Sequence, residues 1–113
     1  KLLDLAGGHG LYAIAFTAMN RQLRAYVFDL PEVVEETKKY LKMFNADRVE
    51  VIAGDMFKDD IGKEYDIVFS SYNPGGKKAE LLPKIRSALN KGGLFVNKQY
   101  FRESEEFSLI DLE

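Results

Sequence analysis

Short apolar runs alternate with longer segments of helical periodicity along most of the chain. The apolar runs predict five strands, at Leu2 to Leu5, Leu23 to Phe28, Arg48 to Ala53, Tyr65 to Ser70 and Leu94 to Tyr100. The segments between them predict three helices, at Leu11 to Met19, Pro31 to Phe44 and Glu80 to Leu89. Only residues 54–64 separate the third strand from the fourth, which predicts a short or irregular connection there.

This alternation places the chain in the α/β class, with a parallel sheet and right-handed crossover connections. In such open sheets, ligands bind beyond the carboxyl ends of the strands, beside the point where the strand order reverses. We therefore expect the functional residues in the loops that follow the strands.

Composition narrows the function classes. The 113 residues allow one domain, and 46% hydrophobic with 30% charged residues is typical of a globular protein. A net charge of -2 argues against a nucleic-acid partner. The absence of Cys and the presence of a single His exclude thiolate and multi-histidine metal sites, so we expect no metal. No apolar run approaches the roughly 18 residues of a membrane span. We expect a cytoplasmic protein with no membrane partner.

The two ends of the chain indicate a piece of a longer protein. Lys1 leads straight into an apolar run, and an amphipathic segment that begins at Phe107 is unfinished where the sequence stops. We interpret residues 1–113 as one domain of that protein.

The loop after the first strand, residues 4–10 (DLAGGHG), is the main candidate for a ligand site. Its glycines allow the backbone to turn tightly and approach a ligand, and the next helix presents free N–H groups. Residues 8–13 match the dinucleotide pattern G-x-G-x-x-A, and Asp29 lies 21 residues after Gly8, where it could bind ribose hydroxyls. This pattern fits NAD as well as other adenosine cofactors.

Acidic residues at the strand ends favour a cationic cofactor. The Asp4 carboxylate at the mouth of the first strand would repel a pyrophosphate and attract the ammonium or sulfonium of S-adenosylmethionine. The alternative is a structural role, in which Asp4 caps the loop amides. After the third strand, Asp55 can accept from the adenine amine and Met56 offers an apolar wall; the alternative is a simple Gly-Asp turn.

Four stretches together resemble the class I S-adenosylmethionine-dependent methyltransferases, and most closely the caffeate-type or hydroxyindole-type O-methyltransferases. They are residues 4–10, residues 28–34 (FDLPEVV), residues 54–57 (GDMF) and residues 88–93 (ALNKGG). The resemblance implies a Rossmann-like three-layer αβα sandwich with strand order 3-2-1-4-5. It also implies that the C-terminal antiparallel strands are missing here, and that the full-length protein forms a homodimer through a missing N-terminal domain.

The resemblance also implies a cofactor-binding set for S-adenosylmethionine and its product S-adenosylhomocysteine. Gly7, Gly8 and Gly10 would line the methionine part, Asp29 would hold the ribose, and Asp55 and Met56 would frame the adenine. Asp4, Leu30 and Ser70 complete the set.

Two departures from the family leave the chemistry open. Ala6 replaces the first glycine of the loop, and the His-Asp-Trp whose histidine deprotonates the substrate is absent after the fourth strand. We expect a small-molecule methyl acceptor, oriented by Ser71, Tyr72 and Asn73, with no general base identified. This leaves two alternatives for catalysis: a nucleophile that is already ionised, or a base that comes from outside this chain. The alternatives are a non-catalytic cofactor- or partner-binding domain and, more weakly, an NAD-dependent oxidoreductase.

Overall fold

One sheet organises the computed structural model, which describes residues 1–71, 79–101 and 104–111. Its strands are β1 (Leu2–Leu5), β2 (Ala25–Asp29), β3 (Val49–Ala53), β4 (Tyr65–Ser71), β5 (Leu89–Phe101) and β6 (Ser104–Asp111). They lie in the order β3-β2-β1-β4-β5-β6. The first five strands are parallel, and β6 runs antiparallel to β5. The predicted order 3-2-1-4-5 is therefore confirmed.

Helices cover both faces of the sheet. They are α1 (Leu11–Met19), α2 (Pro31–Met43) and α3 (Leu82–Ala88), the last preceded by a 3₁₀ turn at Ala79–Leu81. Across the described ranges, no helix has both the length and the apolar composition that a membrane span needs.

Alternate side chains of β1 enter two separate cores. Leu3 and Leu5 are buried in the core that contains Ile85 of α3. Leu2 is buried in the second core, which contains Ala13 of α1. This alternation follows from the pleat, in which successive residues of a strand point to opposite faces. The predicted three-layer αβα arrangement is confirmed.

The C-terminal part of the sheet differs from the sequence prediction. We predicted that β5 begins at Leu94, but it begins at Leu89, directly after α3, with a register irregularity opposite Tyr65 and Ile67. We also predicted that the antiparallel strands are missing, and β6 shows that this is wrong. Its pairing runs from Leu94–Asp111 to Phe101–Ser104 and satisfies backbone groups along an edge of β5 that would otherwise be unpaired.

Candidate functional site

A cleft of about 360 Å³ opens at the carboxyl ends of β1, β2 and β3. Two carboxylates contribute to it: Asp29 is the last residue of β2, and Asp55 follows β3. The remaining lining is largely apolar, and the full set is Ala6, Phe28, Asp29, Leu30, Gly54, Asp55, Met56 and Phe57. Apolar walls with a few convergent polar groups are typical of small-molecule sites.

Asp29 connects the cleft to the glycine loop. Its Oδ2 accepts a hydrogen bond from the Gly8 amide at 3.0 Å, and its Oδ1 accepts one from the Leu30 amide at 2.8 Å. These two bonds fix the orientation of the carboxylate. Because a carboxylate offers about four acceptor positions, Asp29 retains the capacity to bind ligand hydroxyls.

The opposite wall is a turn held by its own side chains and by α3. Asp55 Oδ1 accepts from the Phe57 amide at 2.8 Å, and the Asp55 amide donates to Asp59 Oδ2 at 2.8 Å. From α3, Lys84 Nζ donates to the Met56 carbonyl at 2.8 Å and also to the Asp59 carbonyl. Sequence reasoning missed Lys84, because it lies 28 residues from Met56 and no local pattern connects them.

The glycine loop is closely packed on the strands below it. A Cβ at Gly7 would lie 2.6 Å from Cγ of Asp4 and 2.9 Å from Cγ1 of Val27, so a side chain at this position cannot be accommodated without movement. Gly10, the N-cap of α1, has a φ of 79°, which strains other residues. Ala6 also lies in the left-handed region, with a φ of 57°.

Asp4 is enclosed beneath this loop, with 1% of its surface exposed. Burial, and to a smaller extent the charge of Asp29, raises its pKa to about 7. Within the described residues its Oδ2 has no hydrogen-bond partner, and the same is true of the buried hydroxyl of Ser70. Ser70 pairs in register with Leu5, the neighbour of Asp4. Two unpaired polar atoms therefore lie close to the carboxyl ends of the central strands.

Comparison with known proteins identifies the family. Residues 1–101 match the O-methyltransferase domain. The chain belongs to this O-methyltransferase family. The resemblance inferred from the sequence motifs is confirmed.

Relatives of this methyltransferase domain extend the comparison. The chain is 64% identical over 106 residues to an uncharacterized protein of Methanocaldococcus jannaschii, covering 94% of the chain and 28% of that protein. It is 38% identical over 97 residues to the acetylserotonin O-methyltransferase of Bos taurus, covering 81% of the chain and 28% of that enzyme. The crystal structure of the S-adenosylmethionine-dependent methyltransferase SibL superposes with a TM-score of 0.80 at 27% identity, covering 88% of the chain and 31% of SibL. The chain thus spans about a third or less of the length of these relatives.

The predicted cofactor residues of the methyltransferase domain fall into three groups. Asp29, Leu30, Asp55 and Met56 line the cleft. Gly7, Gly8 and Gly10 form the adjoining loop, Asp4 is buried beneath it, and Ser70 is buried in β4. Phe57 also lines the cleft, and it is 43% exposed.

Ser71, one of the three residues predicted to orient the acceptor, lies at the end of β4, where it is half-buried. The other two predicted orienting residues, Tyr72 and Asn73, lie outside the described residues. The chain's one histidine, His9, is exposed, and its ring centroid lies 4.6 Å from that of Tyr40 on α2. Since α2 follows β2, His9 lies on the other side of β1 from Ser71.

Proposed function

We propose that the protein is an S-adenosylmethionine-dependent methyltransferase that acts on a small-molecule acceptor. The observation that carries this proposal is the cleft in which Asp29 and Asp55, from two successive strand ends, face a mostly apolar space beside the glycine loop. A carboxylate for the ribose, a carboxylate for an exocyclic amine and an apolar wall match the chemistry of adenosine.

The buried polar atoms favour this cofactor over a dinucleotide. Asp4 lies against Gly7, so its negative charge, when it is ionised, acts directly beneath the loop. This charge opposes a pyrophosphate on the loop and favours a cationic amino or sulfonium group. The unpaired Ser70 hydroxyl, near the end of the neighbouring strand β4, adds a polar group on the other face of the sheet. We therefore place the amino-acid part of the cofactor at the carboxyl ends of β1 and β4.

Different residues of the chain would then bind the cofactor and orient the acceptor. When bound, S-adenosylmethionine supplies a methyl group made electrophilic by its positively charged sulfur. Asp29 orients the ribose through hydrogen bonds to its hydroxyls, while Asp55 accepts from the adenine amine and Met56 packs on the ring. Ser71 orients the acceptor. Alignment of the two reactants is the main contribution that this chemistry needs from the protein.

Calorimetric titration tests the cofactor assignment. We expect the complete natural protein to bind S-adenosylhomocysteine more tightly than NAD. Asp29→Ala should weaken that binding by about 1.5–3 kcal/mol, the scale of hydrogen bonds to a charged group. Asp47→Ala, which removes an exposed carboxylate away from the cleft, is the matched control and should have no effect. Clear binding of NAD together with no heat for S-adenosylhomocysteine would assign the protein to the nicotinamide-dependent oxidoreductases.

The second candidate function is a domain that binds the cofactor without transferring its methyl group. It is favoured by the position of His9, the one histidine of the chain, which contacts the Tyr40 ring on the side of β1 away from Ser71. Incubation of the complete protein with radiolabelled S-adenosylmethionine and a broad panel of phenols, thiols, amines and carbon acids separates the two candidates. Label in any acceptor rejects the non-catalytic alternative.

A further inference from the structure

Lys98 and Tyr12 form a polar pair at the carboxyl edge of the sheet, although 86 residues separate them in sequence. Lys98 Nζ donates a hydrogen bond to Tyr12 Oη at 2.7 Å and lies 5.2 Å from the centroid of the tyrosine ring. Lys98 is on β5, in register with Ser71 at the end of β4. Tyr12 lies in the first turn of α1. The pair is thus next to the strand end at which we place the acceptor.

An aromatic group supports the pair from below. The Tyr12 ring centroid lies 5.1 Å from that of Phe69 and 5.9 Å from that of Phe16. Phe16 and Phe69 are themselves in edge-to-face contact at 5.3 Å. Phe69 is buried, whereas Tyr12 remains 37% exposed. Phe16 and Phe69 therefore hold the tyrosine in place and leave part of it accessible to a ligand.

The hydrogen-bond polarity of the pair suits an anionic oxygen. An ammonium has three donors and no acceptor, so it bonds only to acceptors such as the tyrosine oxygen or an anion. Because the tyrosine oxygen accepts from Lys98, its own O–H is directed elsewhere and can donate to a ligand. A cation and a neighbouring hydroxyl donor can therefore converge on one negatively charged oxygen, and such charge-assisted bonds are the stronger kind.

We propose that the Tyr12–Lys98 pair is the binding site for an anionic oxygen of a ligand of this methyltransferase. The proposal rests on the proposed function for the location of the acceptor. The oxygen belongs either to the ionised hydroxyl of the acceptor or to the carboxylate of the cofactor. In the first case the pair also accounts for methyl transfer without the family histidine, because a cation beside a phenol favours its ionised form.

Two binding probes distinguish these sources in the complete natural protein. The first is 4-nitrophenol without cofactor, whose ionised form is measured by its visible absorbance. The second compares S-adenosylhomocysteine with 5′-methylthioadenosine, which lacks the amino-acid carboxylate, by calorimetry. The variants are Lys98→Met, Lys98→Arg and Tyr12→Phe. Lys38→Met, which removes an exposed lysine of α2, is the matched control, and thermal melts establish that each variant is folded.

If the oxygen belongs to the acceptor, bound 4-nitrophenol ionises at lower pH than free 4-nitrophenol. Lys98→Met then abolishes this shift and weakens binding roughly 10- to 100-fold, while Lys98→Arg retains it. If the oxygen belongs to the cofactor, Lys98→Met weakens S-adenosylhomocysteine to a similar extent and leaves 5′-methylthioadenosine unchanged. In either case Tyr12→Phe, which keeps the ring packing, gives a smaller loss.

The proposal is overturned if Lys98→Met and Tyr12→Phe give the same results as Lys38→Met with both probes. It is also overturned if the unaltered protein binds 4-nitrophenol without a shift in the pH of its ionisation and binds the two nucleosides equally well. A failure of the proposed function looks different. In that case S-adenosylhomocysteine and 5′-methylthioadenosine both fail to bind the unaltered protein, while the 4-nitrophenol titration still reports on the pair.

Discussion

Asp4 makes the stability of this fold depend on pH. Its carboxyl has an ordinary pKa of 3.8 in the unfolded chain and a pKa of about 7 in the folded protein, mainly because it is buried. Between these values the folded protein binds more protons than the unfolded chain. The contribution of Asp4 to the free energy of unfolding therefore falls as the pH rises from about 4 to about 7, and is constant above that.

Asp4→Asn should remove this dependence. We expect the variant to gain stability relative to the unaltered protein as the pH is raised from 4.5 to 8, because the amide carries no charge to desolvate. Urea unfolding at several pH values measures the difference between the two proteins, which cancels the titration of all other groups. Parallel stability profiles for the two proteins would show that the buried carboxyl is not the group that titrates.

Ala6 has a backbone conformation better suited to glycine. Its φ of 57° lies in the left-handed region, which costs residues with a Cβ about 1–2 kcal/mol. Glycine loses more chain entropy on folding, so we expect Ala6→Gly to stabilise the protein by only about 0.5–1 kcal/mol. Ala15→Gly in α1, where the residue is exposed and the conformation is helical, is the matched control and should destabilise by about 1 kcal/mol. Equal losses for both, measured by urea unfolding, would contradict the strain at Ala6.

For individual residues, the sequence predicted which side chains form the site better than it predicted how those side chains are packed. The motifs predicted that Asp29, Leu30, Asp55 and Met56 form one site, and the structure brings these residues to one cleft. The sequence did not predict that Asp4 is enclosed under Gly7, because burial depends on how the loop folds back over the strand. The contacts of Lys84 and Lys98 join distant parts of the chain, and no local spacing encodes them.

Among the secondary-structure elements, α1 has its C-terminal carbonyls capped by an arginine from a different part of the chain. Two nitrogens of Arg48, which precedes β3, donate to the carbonyls of Thr17 at 2.6 Å and Asn20 at 2.8 Å, and Nη1 also donates to the Leu23 carbonyl at 3.0 Å. The last carbonyls of a helix have no partner within the helix and carry a partial negative charge. Arg48 satisfies them and connects α1 to β3.

Arg48→Met should therefore destabilise the protein by about 1–3 kcal/mol, the scale for hydrogen bonds to a charged group at a half-buried site. Arg24→Met changes an exposed arginine nearby and should remain within about 0.5 kcal/mol of the unaltered protein. Thermal and urea unfolding measure both. A loss for Arg48→Met no larger than that for Arg24→Met would mean that the guanidinium does not cap α1 in solution.

Elements with strong local signals could be predicted from the sequence, whereas those that depend on a partner strand could not. β1 and α1 have the predicted bounds, and Pro83, which a helix interior would not tolerate, lies in the first turn of α3. The apolar pattern predicted that the fifth strand begins at Leu94, but pairing with β4 draws residues from Leu89 onward into β5. β6 was missed because its backbone bonds are all made to β5, which no pattern within residues 104–111 specifies.

In the whole molecule, the two candidate binding features lie on opposite sides of β1. The cleft occupies the carboxyl ends of β1 to β3, and the Tyr12–Lys98 pair lies towards β4 and β5. The glycine loop between them is where we place the amino-acid part of the cofactor. The homodimer predicted for the full-length protein remains a proposal. Light scattering of the complete protein at several concentrations would measure it, and a monomer throughout would exclude it.

The central claim is that the cleft holds the adenosine of S-adenosylmethionine, and a crystal structure of the complete protein with S-adenosylhomocysteine tests it most directly. We expect the ribose hydroxyls within hydrogen-bond distance of Asp29, the adenine amine at Asp55 and the ring against Met56. The amino-acid part should lie over the glycine loop at the ends of β1 and β4. An adenosine bound elsewhere, with this cleft empty, would contradict the account.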